Sequence, residues 1–185
     1  LVRQQKILEQ MVNIDPLTSI ANRRRYDEVL NIEWAAAVRK KSQLSLVMVD
    51  IDNFKRYNDH YGHAVGDRAL ERVAHTLSLN LRRPRDFVAR YGGEEFVMVL
   101  PETSKEGAIE TAQACREAIE ALQIPQCDTA GYPWLTISVG GISFSPDTNS
   151  SKSAFFKIAD DMLYQAKQQG RNCVVWHETS ELEVE

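Results

Sequence analysis

A chain of 185 residues that is 43% hydrophobic and 26% charged can bury one sizeable core and is too short for a second full domain. Its formal net charge of −4 excludes a broad nucleic-acid surface, so any polyanion must be held locally. Cys115, Cys127 and Cys173 are odd in number and lack CxxC spacing, which excludes a disulfide framework or zinc knuckle and fits a reducing, cytoplasmic setting.

His60 and His63 lie three apart with no thiol near them and read as solvated or locally hydrogen-bonded side chains rather than metal ligands. No apolar run approaches the roughly 18–20 residues of a membrane span, and nothing at the start reads as a signal peptide. The chain opens on Leu1, which suggests a fragment of a longer protein whose missing N-terminal region could carry an anchor or a sensor.

Ile7, Leu8, Met11, Val12 and Ile14 form a helical stripe, read as the end of a connecting helix over residues 1–14. Asp15-Pro16 then resembles an N-cap followed by proline at the first helical position. The helix it opens is expected to run towards Lys41 through Tyr26, Leu30, Trp34 and Val38. Leu44 to Ile51, the run LSLVMVDI, has the composition of a buried central strand. Leu70, Val73, Ala74, Leu77 and Leu81 repeat at helical spacing, with Asp67 placed to cap the helix start.

The segment Arg82-Arg83-Pro84-Arg85-Asp86 breaks that stripe. Phe87–Arg90 and Phe96–Leu100 flank Gly92-Gly93 and predict a β-hairpin that turns at the glycines. A helix over Lys105–Leu122, a strand over Leu135–Ser143, a helix over Ala154–Gln168 and a strand over Cys173–Trp176 follow, before an acidic tail at 179–185. The expected fold is an α/β sandwich: a mixed, mainly antiparallel five-stranded sheet flanked by helices, forming one domain over 15–178.

The chemistry is expected where Asp50, at the end of the buried strand, meets Glu94-Glu95, just past the glycine turn. A carboxylate there is costly to desolvate without a partner, and no basic residue stands beside Asp50 in sequence. Magnesium is a natural partner, since it takes a few carboxylates together with substrate phosphates, and that chemistry suggests a nucleoside triphosphate site. The competing reading makes Glu94-Glu95 solvated hairpin residues and Asp52 the cap of a following helix; for Asp52 the capping role is preferred.

The string Gly92-Gly93-Glu94-Glu95-Phe96 resembles the signature of the GGDEF family of diguanylate cyclases. The likeness extends through DPLTSIANRR at 15–24, VDIDNFKRYNDHYGHAVGD at 49–67, RYGGEEF at 90–96, TISVGG at 136–141 and ADDMLYQAKQQGRN at 159–172. It implies a fold like those of nucleotide cyclases and polymerase palms, and a reaction that condenses two GTP into cyclic di-GMP. Carried across residue by residue, Asp50, the main-chain carbonyl of Ile51, Glu94 and Glu95 would hold Mg2+, for which Mn2+ can substitute.

By the same resemblance Glu94 would take the 3′-hydroxyl proton, with the division of roles between Glu94 and Glu95 left open. Asn58 and Asp67 match guanine-reading positions, although Asp67 also suits a helix cap. Lys167 and Arg171 match phosphate-holding positions, although an i, i+4 cation pair beside Gly170 also suits a helix C-terminus. The backbone around Asn53, Phe54 and Lys55 lies where the family cradles the triphosphate. Ser19-Ile20 stands where the family often has Gly-Leu.

Arg83 and Asp86 satisfy the RxxD pattern that in this family forms an inhibitory product site, and arginine forks with a nearby carboxylate suit cyclic di-GMP. No role is assigned to Arg85. The product joins two GTP, so two domains must face each other, and a homodimer is expected for turnover. The rival readings are a receptor for cyclic di-GMP or a GTP sensor without turnover, and a polymerase or other cyclase on a palm-like fold. The intact Asp50, Glu94, Glu95, Asn58, Asp67 and Lys167 weigh against the first, and the guanine and RxxD positions against the second.

Overall fold

The computed structural model describes residues 1–178, without the side chains of Glu9, Gln10 and Thr129; the acidic tail expected over 179–185 lies outside them. In chain order the elements are α1 (Val2–Asn13), α2 (Arg23–Lys40), β1 (Leu44–Ile51), α3 (Phe54–Tyr61), α4 (His63–Asn80), β2 (Phe87–Gly92), β3 (Glu95–Pro101), α5 (Lys105–Ala121), β4 (Ile137–Phe144), α6 (Lys152–Gln168) and β5 (Val174–Trp176). The five strands lie in the order β2-β3-β1-β4-β5. Every pairing is antiparallel except β4 with β5, as the expected mixed, mainly antiparallel sheet requires.

Alternation along the central strand divides the core into two. Val47, Val49 and Ile51 of β1 face α3, α4 and α5, packing with Phe54, Leu70, Val73 and Ile119. Leu44, Leu46 and Met48 face α2 and α6, packing with Leu30, Trp34, Phe155 and Leu163. Both faces of the sheet are therefore covered, which is why β1 and β4 are buried at every position. Among the described residues no helix is long and apolar enough to cross a membrane.

Two local expectations are corrected. The helix expected to open at Asp15 begins only at Arg23, where Asn22 is the cap and accepts from the Arg25 N–H. Residues 14–21 instead form a loop closed by an antiparallel bridge between Ile14 and Ala21, and Asp15 accepts from the backbone and hydroxyl of Thr18. Ser19, standing where the family often has glycine, takes a left-handed φ of 62° in that loop. Asp67 does not cap α4, which already starts at His63 and contains Asp67. A short helix, α3, fills the stretch before it. The remaining boundaries agree with the expected ones to within two residues.

Two glycines fix the distance between β4 and its neighbours. A Cβ on Gly140 would stand 2.0 Å from the backbone nitrogen of Leu163, and one on Gly141 2.3 Å from the Trp176 ring on the other face. The α6 backbone thus rests directly on the β4 backbone. Gly140→Ala should destabilise the domain by about 3 kcal/mol or more, because the obstacle is main chain and cannot rotate away. Urea unfolding of the variant checks this, and an unchanged midpoint would show that α6 is free to lift.

Candidate active site

The sheet register brings the acidic residues together. Asp50, near the end of β1, lies opposite Glu95 of β3 and Ser138 of β4. The Ile51 N–H donates to the Glu94 carbonyl at 3.2 Å, which joins the hairpin tip to the end of the buried strand. Asp50 occupies an even position of β1 and so faces α6, where Lys167 donates to its Oδ2 at 2.6 Å. The sequence placed Lys167 with the phosphates and left Asp50 without a partner; the structure joins the two across 117 positions of chain.

Asp50 is 7% exposed. Burial pushes its carboxyl up to about 6, Lys167 draws it back, and Glu94 and Glu95 push it further up. Glu95 is also raised, first by burial and then by Asp160 and Glu94, against the opposing cations Lys167 and Arg23. Three carboxylates therefore crowd around one ammonium, an arrangement whose surplus negative charge suits a hard divalent cation. Among the described residues no three His, Cys, Asp or Glu side chains already form a closed cage. Magnesium requires none, since it keeps waters and substrate oxygens in its shell.

Asp50, Ile51, Asn53, Phe54, Lys55, Glu94, Lys167 and Arg171, all expected at the site, line one cavity of about 180 Å³ together with Asp52. That is below the roughly 300 Å³ at which drug-sized ligands are enclosed. It suits a cation and phosphates, with the rest of a nucleotide lying outside. At its floor Asn53 holds a left-handed φ of 53°, and the first turn of α3 leaves its N–H groups without intrahelical acceptors. Opposite, Gly170, Arg171 and Asn172 form a run of left-handed residues at φ 111°, 67° and 45°.

Asp52 does not cap α3, because its carboxylate is already committed. It accepts from Thr136 Oγ1 at 2.7 Å, Ser138 Oγ at 2.5 Å and the Asn172 N–H at 3.0 Å. Its work is to bind the strained loop after α6 to the sheet. Nothing in the local sequence signals this, since all three donors come from more than 80 residues away.

Asn58 lies one turn beyond Phe54 on the same side of α3. Its Oδ1 is buried without a hydrogen-bond partner, and a Cβ on Gly66 would stand 1.8 Å from that atom, so a side chain at 66 would displace the Asn58 amide. Asp67, the next residue, is exposed. The two expected guanine readers therefore sit on adjoining helices outside the cavity. Arg83 and Asp86 stand at the far end of β2–β3 from the glycine turn. There the Arg83 N–H donates to Asp86 Oδ2 at 3.3 Å, while the guanidinium donates to the Glu102 carbonyl at 2.9 Å and to Thr103 Oγ1 at 2.7 Å.

The second Asp86 oxygen is buried and unpartnered. Arg85 joins Glu33 of α2 and Glu102, the latter at 2.7 Å, which gives it the structural role that the sequence did not disclose. A further residue without a sequence-derived role is Arg90. Its Nε donates to the Gly93 carbonyl at 2.9 Å and its NH1 reaches Asp15 Oδ2 at 3.3 Å. Both lie within the recognised strings DPLTSIANRR and RYGGEEF.

A family model described as diguanylate cyclase, GGDEF domain, matches residues 12–173. The chain is 42% identical over 159 residues to diguanylate cyclase DgcP of Pseudomonas aeruginosa, covering 85% of this chain and 23% of that protein. It is 34% identical over 170 residues to diguanylate cyclase DosC of Escherichia coli K12, covering 92% and 36%. It thus spans well under half the length of these curated relatives. Among solved structures, it resembles the coiled coil and GGDEF domain of DgcB from Caulobacter crescentus in complex with c-di-GMP, at a TM-score of 0.85 and 28% identity, over 95% of this chain and 91% of that one. It also resembles the active GGEEF domain of a diguanylate cyclase from Vibrio cholerae, at 0.76 and 30%, over 87% and 99%.

The raised Asp50 carboxyl has a consequence for stability. It holds its proton more tightly in the fold, near pH 6, than in the unfolded chain, near 3.8. Its contribution to stability is therefore fully present below about pH 3.8 and is lost as the pH rises through 6. Asp50→Asn should gain stability relative to the parent as the pH goes from 4 to 7, by about 1–3 kcal/mol. Urea titrations of both proteins with a chelator present measure this, and parallel pH profiles would show that Asp50 titrates normally.

Proposed function

The chain belongs to the GGDEF domain family of diguanylate cyclases, and on that premise we propose that it condenses two GTP into cyclic di-GMP with release of two pyrophosphates. The observation that carries this reading is the convergence of Asp50, Glu94, Lys167 and Arg171 around one phosphate-sized cavity, with Glu95 opposite Asp50 in the sheet. The surplus of carboxylates at the end of a buried strand fits a divalent cation. Asp50, the Ile51 carbonyl, Glu94 and Glu95 would hold Mg2+, or Mn2+ in its place. When bound, the cation neutralises charge on the triphosphate.

The chain's own groups do the rest. Lys167 and Arg171 hold the terminal phosphates, and the backbone of Asn53, Phe54 and Lys55 receives them at the start of α3. Asn58 and Asp67 read the guanine edge. A carboxylate accepts from the N1 and exocyclic 2-amino hydrogens of guanine, whereas adenine has an unprotonated N1 and no amino group at that edge. The buried, unpartnered Oδ1 of Asn58 supports this assignment. Glu94 takes the proton from the 3′-hydroxyl. That oxygen then bonds the α-phosphorus of the GTP on the facing domain as the bond to pyrophosphate breaks, and the reciprocal attack closes the ring.

Each domain holds one GTP in this scheme, so turnover needs a dimer. The α1 stripe, with Ile7, Leu8 and Met11 at 49%, 61% and 76% exposure, is available to pair with its copy and to receive an upstream signal. At the RxxD site, the unpartnered Asp86 oxygen beside Arg83 supports feedback binding of the product.

Incubation with GTP and magnesium should yield cyclic di-GMP, identified by mass; a purified dimer that leaves GTP unconsumed refutes the proposal. Glu94→Gln should lower turnover by about 10²-fold or more with folding intact, judged from typical losses of a catalytic acid-base or electrostatic group. Retained turnover would remove its role. Arg83→Ala should relieve product inhibition, and an unchanged inhibition constant would remove the RxxD assignment.

A further inference from the structure

The tip of the β2–β3 hairpin carries both signature acids, and the sheet holds its β3 side, through the Asp50–Glu95 pairing and the Ile51 N–H to Glu94 carbonyl bond, more firmly than its β2 side. Arg90 pairs with Phe96 and Gly92 with Glu95, so Tyr91 between them is the extra residue of a β-bulge and belongs to neither pair. A Cβ on Gly92 or Gly93 would meet nothing within 4 Å, so neither glycine is wedged against a neighbour on its side-chain face. Beyond those main-chain links, the side chains at its root bear on the direction in which the tip leaves the sheet.

Arg90 braces one side through the Gly93 carbonyl and Asp15. On the α2/α6 side, Tyr91 is held by aromatic neighbours from both helices. The Tyr26 ring meets it edge-on at 5.9 Å, and Phe156 lies against it at 5.4 Å. Arg23, the first residue of α2, places its guanidinium 4.4 Å from the ring centroid. Among the described residues Arg23 makes no ion pair within 4.0 Å, and the Tyr91 ring is the group its guanidinium lies over. It is also close enough to Glu95 to act on that carboxyl electrostatically.

We propose that Tyr91, clasped by Tyr26 and Phe156 and covered by Arg23, is a positioning residue that sets where Glu94 and Glu95 stand, and that Arg23 serves the reaction through it. This deepens the cyclase reading and rests on it for its kinetic test. An unpaired bulge residue gives the hairpin freedom to pivot, and the ring removes that freedom. A shift of the acids relative to Asp50 leaves the phosphate-binding groups on α3 and α6 untouched. The loss therefore falls mainly on the rate at saturating GTP, with a smaller loss of GTP affinity through the cation that the same acids help to hold.

The experiment uses the whole chain. Tyr91→Leu should lower kcat by about ten- to a hundredfold, the scale of a small misplacement of reacting groups. GTP affinity, measured by calorimetry with calcium, should fall several-fold less than kcat, because Lys167, Arg171 and the start of α3, which are assigned to the phosphates, are intact while only the cation's hold is loosened. Tyr91→Phe, which keeps the ring, should restore most of the rate, and Arg23→Gln should cost about threefold, the scale of an exposed cation–π contact. Hydrogen exchange at amides 92–95 should accelerate in Tyr91→Leu and return to the parent rate in Tyr91→Phe.

An unchanged kcat in Tyr91→Leu, a fall in GTP affinity that matches the fall in rate, or a Phe variant as slow as the Leu variant would overturn the proposal. If Tyr91→Leu does not fold, the exposed Arg23→Gln decides: an unaltered rate together with unaltered exchange at 92–95 overturns it. A parent protein that makes no cyclic di-GMP sinks the cyclase reading alone. Exchange at 92–95 still judges the bracing.

Discussion

Asp50 sets the constraint that organises this domain: a carboxylate at the end of a strand buried at every position. Its charge cannot be left in an apolar layer without compensation, and the surrounding elements are placed to supply it. Lys167 reaches it because α6 lies unusually close to the sheet, and α6 lies close because residue 140 is glycine. Leu163 rests over Gly140, and Lys167, one helical turn further, comes down at the Asp50 end of the strand. A side chain at 140 would lift the helix and separate the pair. The ammonium does not balance the three carboxylates, and this imbalance suits the site to a cation and phosphates, as proposed above, better than to a closed buried ion pair.

The sequence carried the architecture well, because its signals there were periodic and local. The run LSLVMVDI reads as a buried strand since both sheet faces are covered, and the stripes of α4, α5 and α6 read as helices since one side of each meets the core. The acidic triad was legible because the end of an apolar strand and a glycine turn are each visible alone, and antiparallel pairing is the simple way to join them. What stayed hidden depended on partners distant in sequence. Asp15-Pro16 carries a genuine helix-start signal, yet the Ile14–Ala21 bridge and the left-handed Ser19 hold that stretch as a loop. Asp52 is well placed for a cap, and donors at 136, 138 and 172 outbid that use. The Asp50–Lys167 contact has no local trace at all.

The same hairpin carries different groups at its two ends, Glu94 and Glu95 at the tip and Arg83 and Asp86 at the base, and α2 runs beside its whole length. Eighteen residues of helix extend about 27 Å. Seven residues of strand extend about 24 Å. The match lets Arg23, at the start of α2, meet Tyr91 near the tip, while Glu33 and Lys40 meet Arg85 and Glu102 at the base.

These two contacts differ in kind. At the base the links are ion pairs that include exposed side chains, which water and salt screen, so they contribute little to holding the strands in one place. Near the tip the link is ring packing backed by a fully buried Tyr26, which is directional and insensitive to salt. The hairpin is thus held firmly beside Glu94 and Glu95 and loosely at its base, the division that the proposed roles of the acids and of the basic loop call for. The division follows from the residues themselves: aromatic side chains cluster where position matters, and charged ones where the chain meets solvent.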